Sequence, residues 1–174
     1  RIIEIFGITI LITGFFLLTS LISFSPDDPN FIFPNDVDIK NILGFRGSFT
    51  ADIFFQSFGL IALLIPFSLI SCGINIIRNK RIFLIIECVF YIILYSLIGS
   101  FFCSFFYPET FELYINGNGG FIGSYLETTF LNALINVNSQ FFYYFLILSI
   151  FFLFLISIHF KISSFYKIIK KIFK

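Results

Sequence analysis

The stretch IFLIIECVFYIILYSLIGSFFCSFF, residues 82–106, decides the fold of this chain. It is apolar almost throughout, and its one charged residue is Glu87. Three further runs follow the same pattern: residues 2–24, 53–77 and 141–160. At a rise of about 1.5 Å per residue, each run forms a helix roughly 30 Å long or more, which is enough to cross the hydrocarbon core of a bilayer. The sequence therefore predicts an all-α membrane protein whose four transmembrane helices make residues 1–160 one membrane domain.

The composition excludes an ordinary soluble domain. Hydrophobic residues make up 58% of the chain and charged residues only 12%, and the mean hydropathy is +0.99. A soluble domain must turn much of its exterior toward water, whereas a protein in a bilayer has no such requirement. The candidate sites are therefore those of a membrane protein rather than the cleft of a soluble enzyme.

The basic residues predict how the chain is oriented. With four crossings both termini lie on one side, and nine of the eleven lysines and arginines share that side. They are Arg1, Arg78, Lys80, Arg81, Lys161, Lys167, Lys170, Lys171 and Lys174. The opposite side holds only Lys40 and Arg46. Because lysine and arginine accumulate in cytoplasmic segments, we expect both termini in the cytoplasm and a basic cytoplasmic tail at residues 161–174.

The second crossing is expected to start and bend at identifiable residues. The outer connection before it, residues 25–52, is rich in proline, aspartate and glycine and is predicted to lack a regular helix in its first half. Thr50 or Asp52 is placed to cap the start of the helix. Pro66 is expected to kink it, because the proline ring displaces the preceding turn. The short basic turn at residues 78–81 then brings the third crossing back antiparallel beside the second.

The second outer connection, residues 107–140, contains a glycine-rich turn followed by a helical pattern. Between residues 121 and 137, apolar side chains recur at steps of three and four, and polar side chains take the opposite face. The apolar set is Phe121, Ile122, Tyr125, Leu126, Phe130, Leu134 and Ile135. This spacing predicts an amphipathic helix that lies in the interface or re-enters the membrane, and periodicity does not separate the two.

Few residues in this chain carry chemistry. Glu87, expected about 9 Å inside the third crossing, is the candidate functional acid; in the structural alternative it is protonated or paired with Arg78 or Arg81. The cysteines are far apart in sequence and His159 is the only histidine, so neither a metal site nor a disulfide is predicted. The glycines at 117–123 do not match a phosphate-binding loop. No catalytic, cofactor-binding or metal-binding residue is therefore predicted.

The connections carry a specific order of motifs. SPDDP follows the first crossing, N-x-x-G-x-x-G spans residues 41–47, and AD and FQSFG follow before GGFIG at 119–123. Over about residues 5–160, this order resembles the membrane domain of the FtsK/SpoIIIE DNA translocase family. The matching positions are Ser25, Pro26, Asp27, Pro29, Asn41, Gly44, Gly47, Ala51, Asp52, Gln56, Gly59, Gly119, Gly120 and Gly123.

The resemblance implies a function that extends beyond these residues. Family members are multi-pass proteins of the bacterial inner membrane that anchor at the division septum through such a domain. A linker and a cytoplasmic motor follow; the motor binds ATP and magnesium, assembles as a hexamer and moves chromosomal DNA. The resemblance thus implies a membrane anchor for chromosome segregation and cell division, with other division proteins as partners. DNA, ATP and magnesium would be bound by a motor beyond Lys174, and this segment itself would not be an enzyme.

Two other functions are compatible with the sequence. A small transporter or channel subunit would need polar residues along a path at mid-depth, and the four crossings offer few. A scaffold of the division machinery without a motor would share the same membrane domain. The chain opens with Arg1 rather than Met, so we expect it to be a piece of a longer protein, in which a motor sequence would distinguish the anchor from the scaffold.

Overall fold

The computed structural model of the protein describes residues 1–28, 38–108 and 116–159. Within these ranges the chain forms α-helices and one 3₁₀ segment, without a β-strand. The elements are α1 (Ile2–Ile22), α2 (Gly44–Phe58), the 3₁₀ segment (Gly59–Leu64), α3 (Ile65–Asn79), α4 (Leu84–Phe106), α5 (Gly120–Glu127), α6 (Phe130–Val137) and α7 (Ser139–Ser157). Four helical stretches are long and apolar enough to cross a membrane: 2–22, 44–79, 84–106 and 139–157. The predicted all-α membrane fold is confirmed, and the predicted basic tail lies outside the described residues.

The crossings pack in the order α1, α3, α4, α7. The most extensive interface joins α1 to α3, the next joins α4 to α7, and α3 packs on α4 as the short turn between them predicts. Glycines let α1 and α3 approach closely. A Cβ atom at Gly7 would lie 2.7 Å from Cγ1 of Ile77, and one at Gly14 would lie 2.8 Å from Cγ1 of Ile70. Small residues at such contacts allow tight packing in a bilayer, where burial from water adds little driving force between helices.

The bundle has two ends of different character. The basic end contains the start of α1, the turn between α3 and α4, and the end of α7. The loop end contains the described parts of the connection before α2 and of the connection after α4, together with α5 and α6. Polar side chains link the crossings between these ends: the hydroxyls of Ser68 and Tyr95 lie 3.1 Å apart in the interior. Near the basic end, Ser71 Oγ donates to the carbonyl of Ile158 at 2.6 Å and ties the end of α7 to α3.

The second crossing begins earlier than predicted. The hydropathy pattern places its start at residue 53, whereas α2 begins at Gly44. Thr50 and Asp52 therefore lie inside a helix, and the prediction that one of them caps it is wrong; Thr50 Oγ1 donates to the carbonyl of Arg46 within α2. One face of α2 is buried against α1 and α5, and these tertiary contacts sustain a helix in a segment whose polar composition indicates a loop.

The interruption of the second crossing lies before Pro66. Gly59 has a φ of 63°, and the chain runs as a 3₁₀ segment to Leu64 before α3 starts. Pro66 occupies the first turn of α3, where its missing N–H costs no helical hydrogen bond. The α-helix is therefore interrupted over the six residues from Gly59 to Leu64, ahead of the proline at which the kink is predicted.

The helical pattern at residues 121–137 is divided into two helices. α5 ends at Glu127 and α6 starts at Phe130. Thr129 caps the start of α6, because its Oγ1 accepts a hydrogen bond from the backbone N–H of Leu131. Threonine favours such a start because its hydroxyl satisfies a helix N–H that has no carbonyl partner. The interfacial or re-entrant placement of this segment stays a prediction.

Candidate functional site

The described motif residues gather mainly in two junctions at the loop end. The first junction closes the connection between α1 and α2 around Asp28, which is only 2% exposed. Its Oδ1 accepts the backbone N–H of Lys40 at 2.8 Å, and its Oδ2 accepts that of Asn41 at 2.9 Å. One carboxylate therefore holds two backbone donors of a segment twelve residues further along the chain. A buried carboxylate is tolerated when its oxygens are hydrogen-bonded in this way.

Asn41 joins the end of α1 to the start of α2. Its Nδ2 donates to the carbonyl of Ser20, in the last turn of α1, at 2.9 Å and to that of Ser23, just after the helix, at 3.2 Å. Carbonyls at the end of a helix lack a partner within the helix and need one from elsewhere. Its Oδ1 accepts the backbone N–H of Leu43 at 3.1 Å, which forms a local Asx turn just before α2. A single amide thus caps one helix and shapes the entry to the next.

The two glycines of N-x-x-G-x-x-G, Gly44 and Gly47, are needed for different reasons. Gly44 has a φ of 64° with open space around its Cα, so its requirement is conformational. At Gly47 a Cβ would overlap the side chain of Asn41, so its requirement is steric. The spacing of the motif follows from this geometry, because residue 47 lies one helical turn into α2 and faces the amide of residue 41.

An exposed ion pair lies beside the first junction. Lys40 Nζ is 2.8 Å from Asp27 Oδ2, and both side chains are mostly exposed to solvent. The hydrogen bond from Lys40 and its charge lower the pKa of the Asp27 carboxyl, and the same contact raises the pKa of Lys40. Of the two aspartates in SPDDP, the matching position Asp27 is on the surface, and its neighbour Asp28 holds the connection together.

The second junction joins the 3₁₀ segment to the turn before α5. The backbone N–H of Leu60 donates to the carbonyl of Asn118 at 2.9 Å, and the Nδ2 of Asn118 donates to the carbonyl of Tyr107. A Cβ at Gly59 would overlap that Asn118 carbonyl. A Cβ at Gly120, whose φ is 63°, would lie 2.6 Å from the backbone nitrogen of Gly59. Two chain segments about sixty residues apart therefore touch backbone to backbone.

α5 also packs closely on α4 through glycine. A Cβ at either Gly119 or Gly123 would overlap the backbone carbonyl of Ser100. Ser100 Oγ donates to the carbonyl of Phe58, and Ser104 Oγ donates to Glu127 Oε2 at 2.6 Å. Because protein atoms fill the space beside these glycines, GGFIG is a helix-packing motif here and not a cradle for a phosphate group.

The remaining motif positions have simpler surroundings. The carbonyl of Ser25 accepts the backbone N–H of Asp28 at 3.2 Å, which closes the turn that contains Pro26. Ala51 and Asp52 belong to the buried face of α2. Gln56 Oε1 accepts the backbone N–H of Asn116 at 3.3 Å, on the edge of the second junction. Pro29 lies outside the described residues.

Glu87 lies far from both junctions, in the first turn of α4 at the basic end. Its side chain is 62% exposed, and its Oε2 lies 3.8 Å from Nε2 of His159. The helix starts only at Leu84, so Glu87 is closer to the end of the crossing than the predicted depth of about 9 Å. Arg78 and Arg81 form no ion pair with it among the described residues, and its role stays a prediction.

The cysteines and other ligand types form no chemical centre in the described part of the chain. Cys72 and Cys88 are buried as free thiols in a cluster with Ile10 and Ile76. No three side chains of His, Cys, Asp and Glu within residues 1–28, 38–108 and 116–159 are grouped so as to hold a metal ion. The hydrogen bonds and close backbone contacts at the loop end can hold its surface in one conformation, and this is the role that the arrangement supports.

Four residues of the junctions are not found by sequence reasoning: Asp28, Ser100, Ser104 and Asn118. Asp28 is adjacent to a motif position, and the pattern offers no means of choosing between the two aspartates. The serines at 100 and 104 are spaced by one helical turn on α4, which is a signal for a close helix contact. Asn118 lies within NGNGG, where its composition indicates only a turn.

The whole chain matches one protein family. The model of the family described as the 4TM region of DNA translocase FtsK/SpoIIIE matches residues 1–172. The chain belongs to this family. It is also similar to a DNA translocase FtsK of Rickettsia bellii (strain RML369-C), with 35% identity over 69 residues that cover 40% of this chain and 9% of that relative. The match thus spans less than a tenth of the relative's length, and no solved structure matches the chain.

Membership of the FtsK/SpoIIIE 4TM family agrees with the fold. The family description names a four-transmembrane region, and the described residues contain four helices able to cross a membrane. The chain is therefore a multi-pass membrane domain of a DNA translocase family, with a membrane-anchoring role.

Proposed function

We propose that this chain anchors a cytoplasmic, ATP-driven DNA motor at the division septum and acts in chromosome segregation and cell division. The observation that carries the proposal is the family match over residues 1–172. The similarity to a protein named DNA translocase FtsK supports it. A helical bundle is suited to this task because it confines the motor to two dimensions and raises its local concentration for assembly.

The proposed orientation places both termini and the basic end in the cytoplasm. The distribution of lysine and arginine supports it, since Arg78 lies in the last turn of α3 and Lys80 and Arg81 lie in the turn between α3 and α4. The loop end then faces the outer side of the inner membrane. Its two junctions would present a rigid surface to other division proteins.

The remaining partners would be bound by the motor. A motor following this chain would bind ATP and magnesium, assemble as a hexamer and act on chromosomal DNA. The simplest test is the reading frame downstream of Lys174 in the parent gene. A Walker A motif in that frame is the expected result, and a stop codon shortly after Lys174 would contradict the motor.

Septal anchoring is tested by localisation. The full chain fused to a fluorescent protein is expected to form a band at the division site of growing bacteria. The matched control is a fusion of the same chain carrying Gly59→Ala, which removes the geometry of the second junction. A diffuse membrane signal from the unaltered chain would contradict septal recruitment.

Orientation is tested by labelling introduced cysteines in intact spheroplasts. The background is a chain in which Cys72, Cys88 and Cys103 are replaced by alanine. Ile42→Cys, at a loop-end position that is 76% exposed, is expected to react with a membrane-impermeant maleimide. Arg81→Cys is expected to react only after the membrane is opened, and its labelling in intact spheroplasts would contradict the orientation.

A further inference from the structure

A cavity of about 500 Å³ lies at the basic end of the bundle. It lies between the first turn of α1 and the turn that joins α3 to α4. Apolar side chains form one part of its wall: Ile3, Ile82, Phe83 and Leu84. Charged side chains form another part: Lys80, Arg81 and Glu87. The cavity therefore combines an apolar surface with cationic groups.

Within the part of the chain that the structure describes, the charges around the cavity leave Arg81 without an ion-pair partner. Lys80 Nζ lies 3.1 Å from Glu4 Oε1, so part of its charge is engaged within the protein. Glu87 Oε2 lies 3.8 Å from Nε2 of His159. No carboxylate of the described residues lies within ion-pair distance of Arg81, although its side chain lines the cavity.

The position of the cavity matches the boundary between hydrocarbon and headgroups. α1 begins at Ile2 and α4 begins at Leu84, so the cavity lies where two crossings start. Phe83 and Ile86 nearby are 74% and 62% exposed, as expected for side chains that contact acyl chains. Arginine and lysine at such a depth keep their apolar stems in the hydrocarbon and their charged groups at the headgroups.

We infer that this cavity binds one anionic phospholipid, whose phosphate is held by Arg81 with help from Lys80 and whose acyl chain lies along Ile3, Ile82 and Leu84. The ligand matches the site in both parts, because a phospholipid has an anionic head and an apolar chain. Basic cavities between transmembrane helices are a known means of recognising anionic headgroups. The lipid would fill the space between α1 and α4, which have no large interface of their own.

The test compares two lipids that have the same acyl chains, one with an anionic headgroup and one with a zwitterionic headgroup. The full chain is purified in a neutral detergent, and bound dioleoyl phosphatidylglycerol and dioleoyl phosphatidylcholine are counted by native mass spectrometry. We expect a preference of about tenfold for phosphatidylglycerol, as for one to two basic groups beside a lipid phosphate. Arg81→Gln is expected to remove most of that preference.

The matched control is Arg78→Gln. Arg78 lies in the last turn of α3 at the same end but does not line the cavity. This variant is expected to keep the preference. If both glutamine variants lose the preference for phosphatidylglycerol equally, that preference is a diffuse effect of surface charge, and the proposed site in the cavity is overturned. An unchanged preference in Arg81→Gln overturns it as well.

A second pair of measurements tests the apolar part of the site. Ile82→Trp occupies part of the apolar wall space while keeping every charge, and we expect it to lower phosphatidylglycerol binding. Soluble glycerol phosphate is expected not to compete at the concentrations at which the lipid binds. Undiminished lipid binding in Ile82→Trp, or competition by glycerol phosphate, would overturn the inference. Circular dichroism and gel filtration of each variant verify that the fold is kept.

Discussion

At the loop end, Asp28 and Asn41 are 2% and 4% exposed, and together they form hydrogen bonds with five backbone groups. At the basic end, by contrast, Lys80 and Glu4 form an ion pair between side chains that are 70% and 36% exposed. The first arrangement works in one geometry only, since each buried polar group needs its own partner. The ion pair at the basic end competes with water and headgroups for the same charges, so it contributes little to stability. The comparison indicates that the loop end is built for a fixed shape and the basic end for exchangeable charged contacts.

The largest effect is expected at Gly59, where both the backbone conformation and the contact with Asn118 exclude a side chain. Gly59→Ala should lower the free energy of unfolding by about 3 kcal/mol or more. Gly44→Ala is the matched control, because φ is equally positive there but the space is open; about 1 kcal/mol is expected. Unfolding in mixed micelles, followed by circular dichroism, measures both. Equal losses would show that close packing at the second junction is unimportant.

The two adjacent aspartates give the next largest difference. Asp28→Asn places an amide NH₂ against one of two backbone donors and leaves that donor unpaired. We expect a loss of about 2 kcal/mol in the free energy of unfolding. Asp27→Asn changes the charge in the same way at an exposed neighbour and should leave the unfolding midpoint within error. A larger effect at Asp27 would contradict the proposed role of Asp28.

The Asp27–Lys40 pair predicts a small dependence on pH. The folded pKa of Asp27 is lowered, so its contribution is present above its ordinary value of 3.8 and is lost as pH falls through the lower folded value. The folded pKa of Lys40 is raised, so its contribution is present below 10.5 and is lost as pH rises through the higher folded value. Carboxyl titration by NMR should place Asp27 below 3.8 and return it toward that value in Lys40→Met. A titration that is the same in both proteins would contradict the pair.

The smallest effect is expected at the basic end. Glu4→Gln removes the carboxylate that faces Lys80, but the Lys80 side chain is 70% exposed and that of Glu4 is 36% exposed. The thermal midpoint should not change within error, because exposed ion pairs contribute little to stability. Thermal unfolding of this variant beside Asp28→Asn measures the contrast directly. A comparable loss in the two proteins would remove the distinction between the ends.

Hydropathy is sufficient to predict the four crossings, because a helix of that length and composition has few other stable environments. It is not sufficient at α2, where Arg46, Thr50 and Asp52 indicate a loop and tertiary contacts with α1 and α5 favour a helix. Hydropathy is also insufficient at α5 and α6. The apolar side chains keep their helical spacing across Thr128 and Thr129, but the helix is interrupted at these two residues. Local pattern and tertiary contact disagree at these places, and the contact determines the outcome.

The motif positions of the site are visible in the sequence, but their grouping is not. N-x-x-G-x-x-G indicates glycines with a backbone role, yet only the structure places Gly47 against Asn41. The contact between Gly59 and Asn118 joins segments about sixty residues apart, and no local spacing encodes it. Apolar helices offer many equivalent faces for packing. The packing order α1, α3, α4, α7 therefore could not be predicted from hydropathy and is known only from the glycine contacts of the folded bundle.

The hydrogen bond from Ser71 to the carbonyl of Ile158 has a mechanical consequence. A pull applied to the end of α7 along its axis would be carried in shear along the interface with α4, to which α7 is antiparallel. The Ser71 bond lies at the point where the tension enters and transfers part of it to α3. Traction on the tail would thus be spread over three crossings before any contact at the loop end is strained.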